Sequence, residues 1–331
     1  MIKILYSKAE PFNGITSYTK HLYEGLKESD LNVELKMLPK IEAKVGKKRY
    51  GGWLTQDLLS FISGKADIVH STTHWLLSPY TNVVTIHDLE FAIWQENTGN
   101  VNNETAKRRH KKFEFIRKNV KLIIVQGKHI EEQVRLLGLE NPIEVITSKV
   151  FVNPPTRNPY PADNKLHLVT MGEILSGRQR KKIYEFYEWL KGNEDVDLYH
   201  IGKLENEKYR NYSPNIHELG FVSEQDKFNY LSYADKFVFN TSGEGQGYPT
   251  MEAMKLNTQV VVNDLSEHKL LLGDRPYYFH NRDEFLEMIW KEKKSGLVEQ
   301  ISQYDDWIGK YKTAYEKVCE NIRWENENPI R

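Results

Sequence analysis

Glycines and glutamates stand together in the segment FNTSGEGQGYPTMEAM, where their types suit a charged ligand. Glycines let backbone N–H groups approach an anion closely, and Pro249 suits the first turn of a following helix, which needs no N–H donor. The carboxylates of Glu244 and Glu252 are poor phosphate ligands but good acceptors for sugar hydroxyl groups. These residue types therefore favour a ligand with both features, such as a sugar nucleotide. The glycines of this loop are Gly243, Gly245 and Gly247.

The elements around this loop predict where it lies in the fold. The apolar strand Phe237–Phe239 precedes it, Thr250–Lys255 forms a helix, and Gln259–Val262 forms the next strand. A strand, loop, helix and strand in this order place the loop at the carboxyl edge of a parallel sheet, where open α/β sheets bind ligands. The positive end of the helix dipole favours an anion there. Taken singly, each glutamate has the simpler interpretation of a solvated side chain.

The motif resembles the signature of the retaining glycosyltransferases of family 4, which have the GT-B fold. The resemblance lies in a Glu-x7-Glu pattern within EGQGYPTMEAM and extends over about Glu218 to Glu267. It implies transfer of a sugar from a nucleotide-sugar donor, with UDP or GDP as the nucleotide, and retention at the anomeric carbon. The acceptor is a glycan, a lipid or a protein. No metal or other cofactor is expected, because the chain has no Asp-x-Asp motif in a site-like setting and no His/Cys cluster.

The resemblance also implies roles for residues of the second half of the chain. Glu244 would hold hydroxyls of the donor sugar, and Glu252 would hold the ribose hydroxyls. The backbone of Phe221 and Val222 would meet the donor base. The amides that would stabilise the departing diphosphate belong to four consecutive residues, Gly245, Gln246, Gly247 and Tyr248.

A basic turn supplies the expected cations for the diphosphate. Cations at a helix N-terminus oppose the helix dipole, so a cluster there is unfavourable unless an anion sits among them. The family has an arginine and a lysine at this point, and Glu173 occupies the usual arginine position. We assign the lysine role to Lys181 and the arginine role to Arg178. A solvated basic turn is the alternative interpretation.

Two residues of the first half match the resembled family in position. Gly14 follows Asn13 in the turn after the first strand, where the family approaches the donor phosphates or the acceptor. His87 ends the strand Asn82–His87 and is followed by Asp88, and in the family this histidine reaches the sugar. The alternatives are an ordinary tight turn for Gly14 and a structural histidine for His87.

Alternating strands and helices on both sides of a proline-rich segment predict an α/β protein of two doubly wound, Rossmann-like domains facing across a cleft, the GT-B architecture. The predicted boundaries are 1–152 for an acceptor-side domain, 153–164 for the linker and 165–302 for the nucleotide-sugar domain. Residues 303–331 are predicted to form a helix that returns to the first domain; the helix itself covers Gln303–Arg323.

Composition limits the partners and the location of the protein. The 331 residues have a formal net charge of zero, which argues against nucleic-acid binding. Cys319 is the only cysteine, so no intramolecular disulfide forms and a cytoplasmic location is expected. The basic helix Lys107–Lys121 is interpreted as a solvated face; peripheral docking on anionic lipid is the alternative. The basic segment Lys40–Gly52 is interpreted as an irregular loop.

Two further functions fit the same residues. A sugar-nucleotide epimerase on this fold would need more acids and bases in the cleft and no second sugar substrate. A non-catalytic glycan- or nucleic-acid-binding protein would be favoured by the basic helix, whereas the intact glutamate pair favours an enzyme.

Overall fold

The computed structural model describes residues 1–6, 14–38, 42–45, 48–51, 64–89, 104–174 and 181–328. The chain divides into two compact units. The first unit contains Met1–Ser148 together with Asp306–Arg331, and the second contains Lys149–Asp305.

The elements follow one another in the alternating order that the sequence predicts. The strands are β1 (Ile2–Tyr6), β2 (Val33–Met37), β3 (Glu42–Val45), β4 (Lys48–Gly51), β5 (Ile68–Ser71), β6 (Val83–Ile86), β7 (Leu122–Val125), β8 (Ile143–Val145), β9 (Leu166–Met171), β10 (Val196–Ile201), β11 (Ile216–Gly220), β12 (Lys236–Phe239), β13 (Gln259–Asn263) and β14 (Tyr277–Phe279). The described α-helices are α1 (Gly14–Glu28), α2 (Glu104–Asn119), α3 (Lys128–Leu136), α4 (Ile183–Leu190), α5 (Glu224–Tyr233), α6 (Tyr248–Lys255), α7 (Ser266–Leu272), α8 (Arg282–Met288), α9 (Leu297–Ser302) and α10 (Trp307–Glu327).

The first unit is built on a six-stranded parallel sheet with the strand order β2-β1-β5-β6-β7-β8. Its strands β5, β6 and β7 are buried along their whole length, as expected for a parallel sheet that is covered on both faces. The interpretation of Lys40–Gly52 as an irregular loop is wrong, because β3 and β4 form an antiparallel pair there. A basic composition indicates exposure but does not exclude backbone pairing.

The second unit contains a six-stranded parallel sheet with the order β11-β10-β9-β12-β13-β14, in which β9 and β12 are neighbours. Successive residues of a strand point to opposite faces. Leu168 and Val238 pack on one face with α4 and α8, whereas Val169 and Phe237 pack on the other with α5 and α6. Both faces are buried, and the prediction of two doubly wound α/β sheets is confirmed.

The end of the chain differs in detail from the predicted single helix over 303–323. Helix α9 ends at Ser302, residues 303–306 form a turn in which the Tyr304 amide donates to the Ile301 carbonyl (3.2 Å), and α10 then begins at Trp307. Helix α10 contributes Trp307, Tyr311 and Val318 to the core of the first unit.

The proline-rich segment 153–164 lies in the second unit and packs on α5. The Thr156 amide donates to Asn229 Oδ1 (2.8 Å), Arg157 pairs with Asp226 (2.7 Å), and Tyr160 is buried. Four prolines indicate an extended chain but give no information on these contacts.

Candidate functional site

The glycine-rich loop joins the buried strand β12 to α6 and is held by its own threonines. Gly247 is the residue before α6 and has a left-handed backbone (φ 64°), which glycine adopts without strain. Thr250 Oγ1 donates to the Gly247 carbonyl (2.6 Å), and Thr241 Oγ1 donates to the Gly243 carbonyl (2.9 Å). Pro249 lies in the first turn of α6, as predicted. The loop therefore presents a shaped backbone next to a helix N-terminus.

Lys181 lies at the point where the strand order of the second sheet reverses. The chain runs from β9 to β10 on one side and from β12 to β13 on the other, so a crevice forms at the carboxyl ends of β9 and β12. Lys181 forms a β-bridge with Thr241, two residues after the end of β12, and its Nζ lies 5.1 Å from the centre of the Phe239 ring. The neighbouring Lys182 amide donates to the Asn240 carbonyl (2.8 Å). Backbone pairing, rather than helix register, positions this lysine beside the loop.

Close backbone contacts shape the same edge of the sheet. Gly172 follows β9 and Gly202 follows β10, and a Cβ atom on Gly202 would lie 1.8 Å from the Gly172 carbonyl oxygen. A Cβ atom on Gly172 would lie 2.5 Å from Cδ of Lys181. His200 Nε2 donates to the Gly172 carbonyl (2.8 Å), and burial lowers the pKa of His200, which favours its neutral form. Side chains are thus excluded where β9 and β10 end.

Glu252 lies one helical turn inside α6 and forms an ion pair with Lys227 of α5, with 2.8 Å between Oε1 and Nζ. Burial raises the pKa of the Glu252 carboxyl, while the Lys227 ammonium and, to a lesser extent, Lys181 act in the opposite direction. Lys181 pairs with Thr241 at the start of the loop, and Glu252 lies in the helix that follows the loop. The structure therefore brings together Glu252, Lys181 and the loop.

The other loop residues of the prediction differ in exposure. Glu244 and Gly245 are half-buried in the loop, and Tyr248 packs its ring on the core of the unit. The Gln246 side chain is buried, and its Nε2 contacts Met251 Sδ at 3.6 Å. Gln246 can thus bind a ligand through its backbone amide, as predicted from the sequence.

Phe221 and Val222 follow β11, the edge strand of the same sheet. Three strand spacings separate β11 from β12, which is about 14 Å. Phe221 is 70% exposed, whereas Val222 is half-buried against the core. The exposed ring is available to a ligand group that lies away from the glycine loop along the same sheet edge.

Gly14 and His87 belong to the first unit. Gly14 begins α1 and is exposed; the Asn13 before it lies outside the described residues. His87 follows β6, donates from Nε2 to the Thr72 carbonyl (2.9 Å) and meets the Tyr18 ring edge-on at 4.8 Å. Burial lowers the pKa of His87, against hydrogen bonds with Gln126 and Thr72 that favour the protonated ring. His87 is therefore held in position as a mainly neutral ring.

Arg178 falls outside the described residues, so its assignment stays a prediction. Helix α2 contains most of the predicted basic helix, and Phe113 and Ile116 on it are buried in the core rather than presented to a membrane. No helix in the described ranges is long and apolar enough to cross a bilayer.

Three residues that hold this site were not identified from the sequence. Lys227 pairs with Glu252, His200 binds the Gly172 carbonyl, and Asn263 exchanges two hydrogen bonds with the Thr241 backbone (3.1 and 2.8 Å). Asn263 is the last residue of β13, and a polar residue directly after the apolar run of this strand could have identified it as a site residue from the sequence. The other two depend on packing between elements that are distant along the chain.

Comparisons with known proteins agree with this architecture. Residues 167–290 match a family model described as glycosyl transferases group 1. No curated protein sequence matches the chain. Among solved structures, a sucrose-phosphate synthase from Thermosynechococcus elongatus superposes with a TM-score of 0.72 at 14% identity, covering 96% of this chain and 98% of that one. WaaG, a glycosyltransferase involved in lipopolysaccharide biosynthesis, gives a TM-score of 0.65 at 13% identity, covering 99% and 95%.

A third similar structure is the lipopolysaccharide outer core galactosyltransferase WaaB, with a TM-score of 0.62 at 12% identity and coverage of 96% and 99%. Identities this low establish the fold alone. The chain has the two-domain, Rossmann-like GT-B fold, and its residues 167–290 match the glycosyl transferases group 1 domain.

Proposed function

We propose that the protein is a retaining glycosyltransferase that moves a sugar from a nucleotide-sugar donor to a glycan, lipid or protein acceptor. This proposal rests on the glycine loop between β12 and α6, which lies where the strand order of the sheet reverses. Lys181 lies beside the loop, and Glu252 lies on α6, the helix that follows it. Backbone amides and one ammonium suit a diphosphate, and a carboxylate suits the adjoining hydroxyls. The family match over 167–290 supports the same reaction class.

The donor is proposed to lie along the carboxyl edge of the second sheet. The diphosphate binds the amides near Gly245–Tyr248 and the Lys181 ammonium, with Arg178 as a further cation. Glu252 accepts the ribose hydroxyls, and the base extends toward Phe221 and Val222. A similar solved structure from E. coli, with a TM-score of 0.60, is bound with UDP-2-fluoro glucose, which favours a nucleoside diphosphate sugar as the donor class.

The sugar is proposed to bind next to Glu244, which accepts its hydroxyls, and His87 and Gly14 are proposed as further site residues. As the bond between the anomeric carbon and the phosphate oxygen breaks, the acceptor oxygen attacks from the same face. The acceptor proton passes to the departing phosphate oxygen. Lys181 and the loop amides stabilise the negative charge that grows on the diphosphate, and this transition-state stabilisation is the main catalytic contribution.

Incubation with a panel of UDP- and GDP-sugars and candidate acceptors tests the proposal. A transferase releases free nucleoside diphosphate together with a glycosylated acceptor whose anomeric configuration equals that of the donor. An isomerised donor without diphosphate release would identify an epimerase. Donor binding without any turnover, across a panel that includes simple sugars, glycerol derivatives and lipid acceptors, would contradict the enzymatic assignment.

A further inference from the structure

A second group of polar side chains lies at the opposite, amino-terminal edge of the second sheet. His167 is the second residue of β9, and Asp197 is its register partner on β10. Asp163 lies four residues before His167, in the segment that leads into β9. The glycine loop lies at the carboxyl ends of these parallel strands, so this group does not belong to the proposed donor site.

The three side chains converge on one point. Asp163, His167 and Asp197 each offer one ligand atom, and these atoms all lie within 4.8 Å of one another. His167 Nε2 lies 3.2 Å from Asp163 Oδ1. Two ligands of a tetrahedral zinc ion, each about 2.0–2.2 Å from the metal, are separated by about 3.3–3.6 Å. The spacing of this nitrogen and oxygen is close to that of neighbouring ligands on one metal ion.

The hydrogen bonding of His167 points to a ligand as well. The residue is 7% exposed, and its Nε2 atom has no hydrogen-bond partner within the described part of the chain, since the Asp163 contact is not aligned as a hydrogen bond. A buried polar atom without a partner is unfavourable, and a metal ion bound at this lone pair removes the penalty. The Tyr160 ring stacks on the imidazole, with 4.8 Å between centres and 8° between planes, and fixes the direction of the ring.

The surroundings of Asp197 resemble the outer contacts of a metal-ligating carboxylate. Its side chain is almost fully buried (6% exposed), and His217 Nε2 lies 3.5 Å from its Oδ2. His217 Nε2 makes no aligned hydrogen bond within the described part of the chain, and a rotation of its ring lets it donate to Asp197 in the way that neighbours support ligating carboxylates. Lys165 Nζ lies 3.1 Å from Asp197 Oδ1 and is 39% exposed, so this ammonium can swing into solvent when another cation takes its place.

We propose that Asp163, His167 and Asp197 bind a divalent cation of the zinc class, with His217 supporting Asp197. One nitrogen and two carboxylate oxygens suit zinc better than magnesium or calcium, which prefer oxygen ligands alone. The ion fastens the segment before β9 to the first two strands of the second unit. The site lies at the opposite edge of the sheet from the proposed donor site, so the proposed sugar transfer does not depend on it.

The test uses the full chain after dialysis against a chelator, with zinc chloride as the probe in calorimetry and in thermal denaturation. One zinc ion binds per chain, and zinc at about 100-fold above its Kd raises Tm by about 5 °C, whereas magnesium chloride does not. Asp163→Asn changes an exposed side chain and keeps its shape, so the variant folds, yet it weakens zinc binding at least about tenfold. His167→Gln has the same effect.

The matched control is His280→Gln, because His280 also lies between two carboxylates but holds them on opposite ring nitrogens, Asp264 at Nε2 (3.1 Å) and Glu284 at Nδ1 (2.9 Å). This variant binds zinc as the unmodified protein does. Lys165→Met removes the competing ammonium and tightens zinc binding, although it breaks an ion pair. The proposal would be overturned if the unmodified protein did not bind zinc, or if Asp163→Asn bound zinc with the same Kd. The three side chains would then form an ion-pair network only.

Discussion

The carboxyl edges of the two sheets are built from different chemical groups. In the second unit β9 and β10 are followed by Gly172 and Gly202, β11 ends at Gly220, and β12 leads into the glycine loop. In the first unit the strands are followed by side chains that form hydrogen bonds, among them Thr72, His87, Gln126 and Thr147. The second edge is therefore lined mainly by backbone, and the first by side chains that internal hydrogen bonds hold in place.

This difference matches the two halves of a sugar transfer. A diphosphate is the same in every nucleotide sugar, and backbone amides that approach it closely need no side chain at all. An acceptor is defined by its particular hydroxyl groups, which side chains can distinguish. We expect substitutions in the glycine edge to affect all donors alike, and substitutions in the first edge to act on turnover and acceptor choice.

The largest effect is expected from Gly202→Ala. The new Cβ would lie 1.8 Å from the Gly172 carbonyl oxygen, and the backbone there has φ 142°, so strain and overpacking together lower the free energy of unfolding by about 4 kcal/mol. Urea denaturation measures this loss. The control Gly192→Ala has φ 71° and no described atom within 4 Å of the new Cβ, so it loses only about 1–2 kcal/mol. Equal losses in both variants would show that the close contact does not matter.

Lys181→Ala is expected to lower kcat about 100-fold with little change in donor KM, because the ammonium interacts most strongly with the diphosphate as it leaves. Steady-state kinetics with a saturating acceptor measure both constants. Lys182→Ala, one residue further and at the start of α4, is the matched control and keeps its kcat. If Lys181→Ala changes only the donor KM and leaves kcat unchanged, the proposed catalytic role of Lys181 is contradicted.

Glu252→Ala is expected to weaken donor binding by about 1.5–3 kcal/mol and to change kcat less, because ribose contacts are made equally in the ground and transition states. The pH dependence sharpens this expectation. Burial raises the pKa of Glu252, so its carboxylate becomes protonated at a higher pH than that of an ordinary glutamate. As the pH is lowered, the donor KM should therefore begin to rise at that higher pH. Glu252→Gln removes this dependence. A collapsed kcat with unchanged KM would contradict the role.

The smallest expected effect is that of His87→Ala on the Kd for the free nucleoside diphosphate. Turnover falls about tenfold, while the Kd for the free nucleoside diphosphate stays within about twofold, because the diphosphate lacks the sugar that His87 is proposed to touch. Calorimetry and a turnover assay on the same preparation measure the two quantities. If the variant is folded, as shown by its Tm, but no longer binds the diphosphate, the assignment of different roles to the two edges is contradicted.

Much of the fold and part of the site follow from local sequence signals. The apolar run at Phe237–Phe239, the glycines after it and Pro249 predict β12, the loop and α6 closely, because turn chemistry and strand burial act on neighbouring residues. The partners of these residues do not follow from such signals. Lys227 reaches Glu252 from a different helix, and His200 reaches Gly172 from the next strand.

The proposed cation site shows the same limit. The sequence predicts no metal because it contains no Asp-x-Asp motif in a site-like setting and no His/Cys cluster, and Asp163 and Asp197 are far apart along the chain. Parallel pairing of β9 with β10 sets His167 against Asp197, and this register is a property of the folded sheet. The spacing of four between Asp163 and His167 was visible, but it lies in a proline-rich segment and not in a helix.

The position of α10 has a consequence for synthesis of the protein on the ribosome. The second unit is one continuous stretch of chain, Lys149–Asp305, whereas the core of the first unit needs Trp307, Tyr311 and Val318 from the final helix. Domains usually fold from the N-terminus as they emerge. Here the first sheet emerges first, but its core stays incomplete until α10, which follows the second unit along the chain, has left the exit tunnel. We therefore expect the second unit to complete its fold before the first, the reverse of the order of translation.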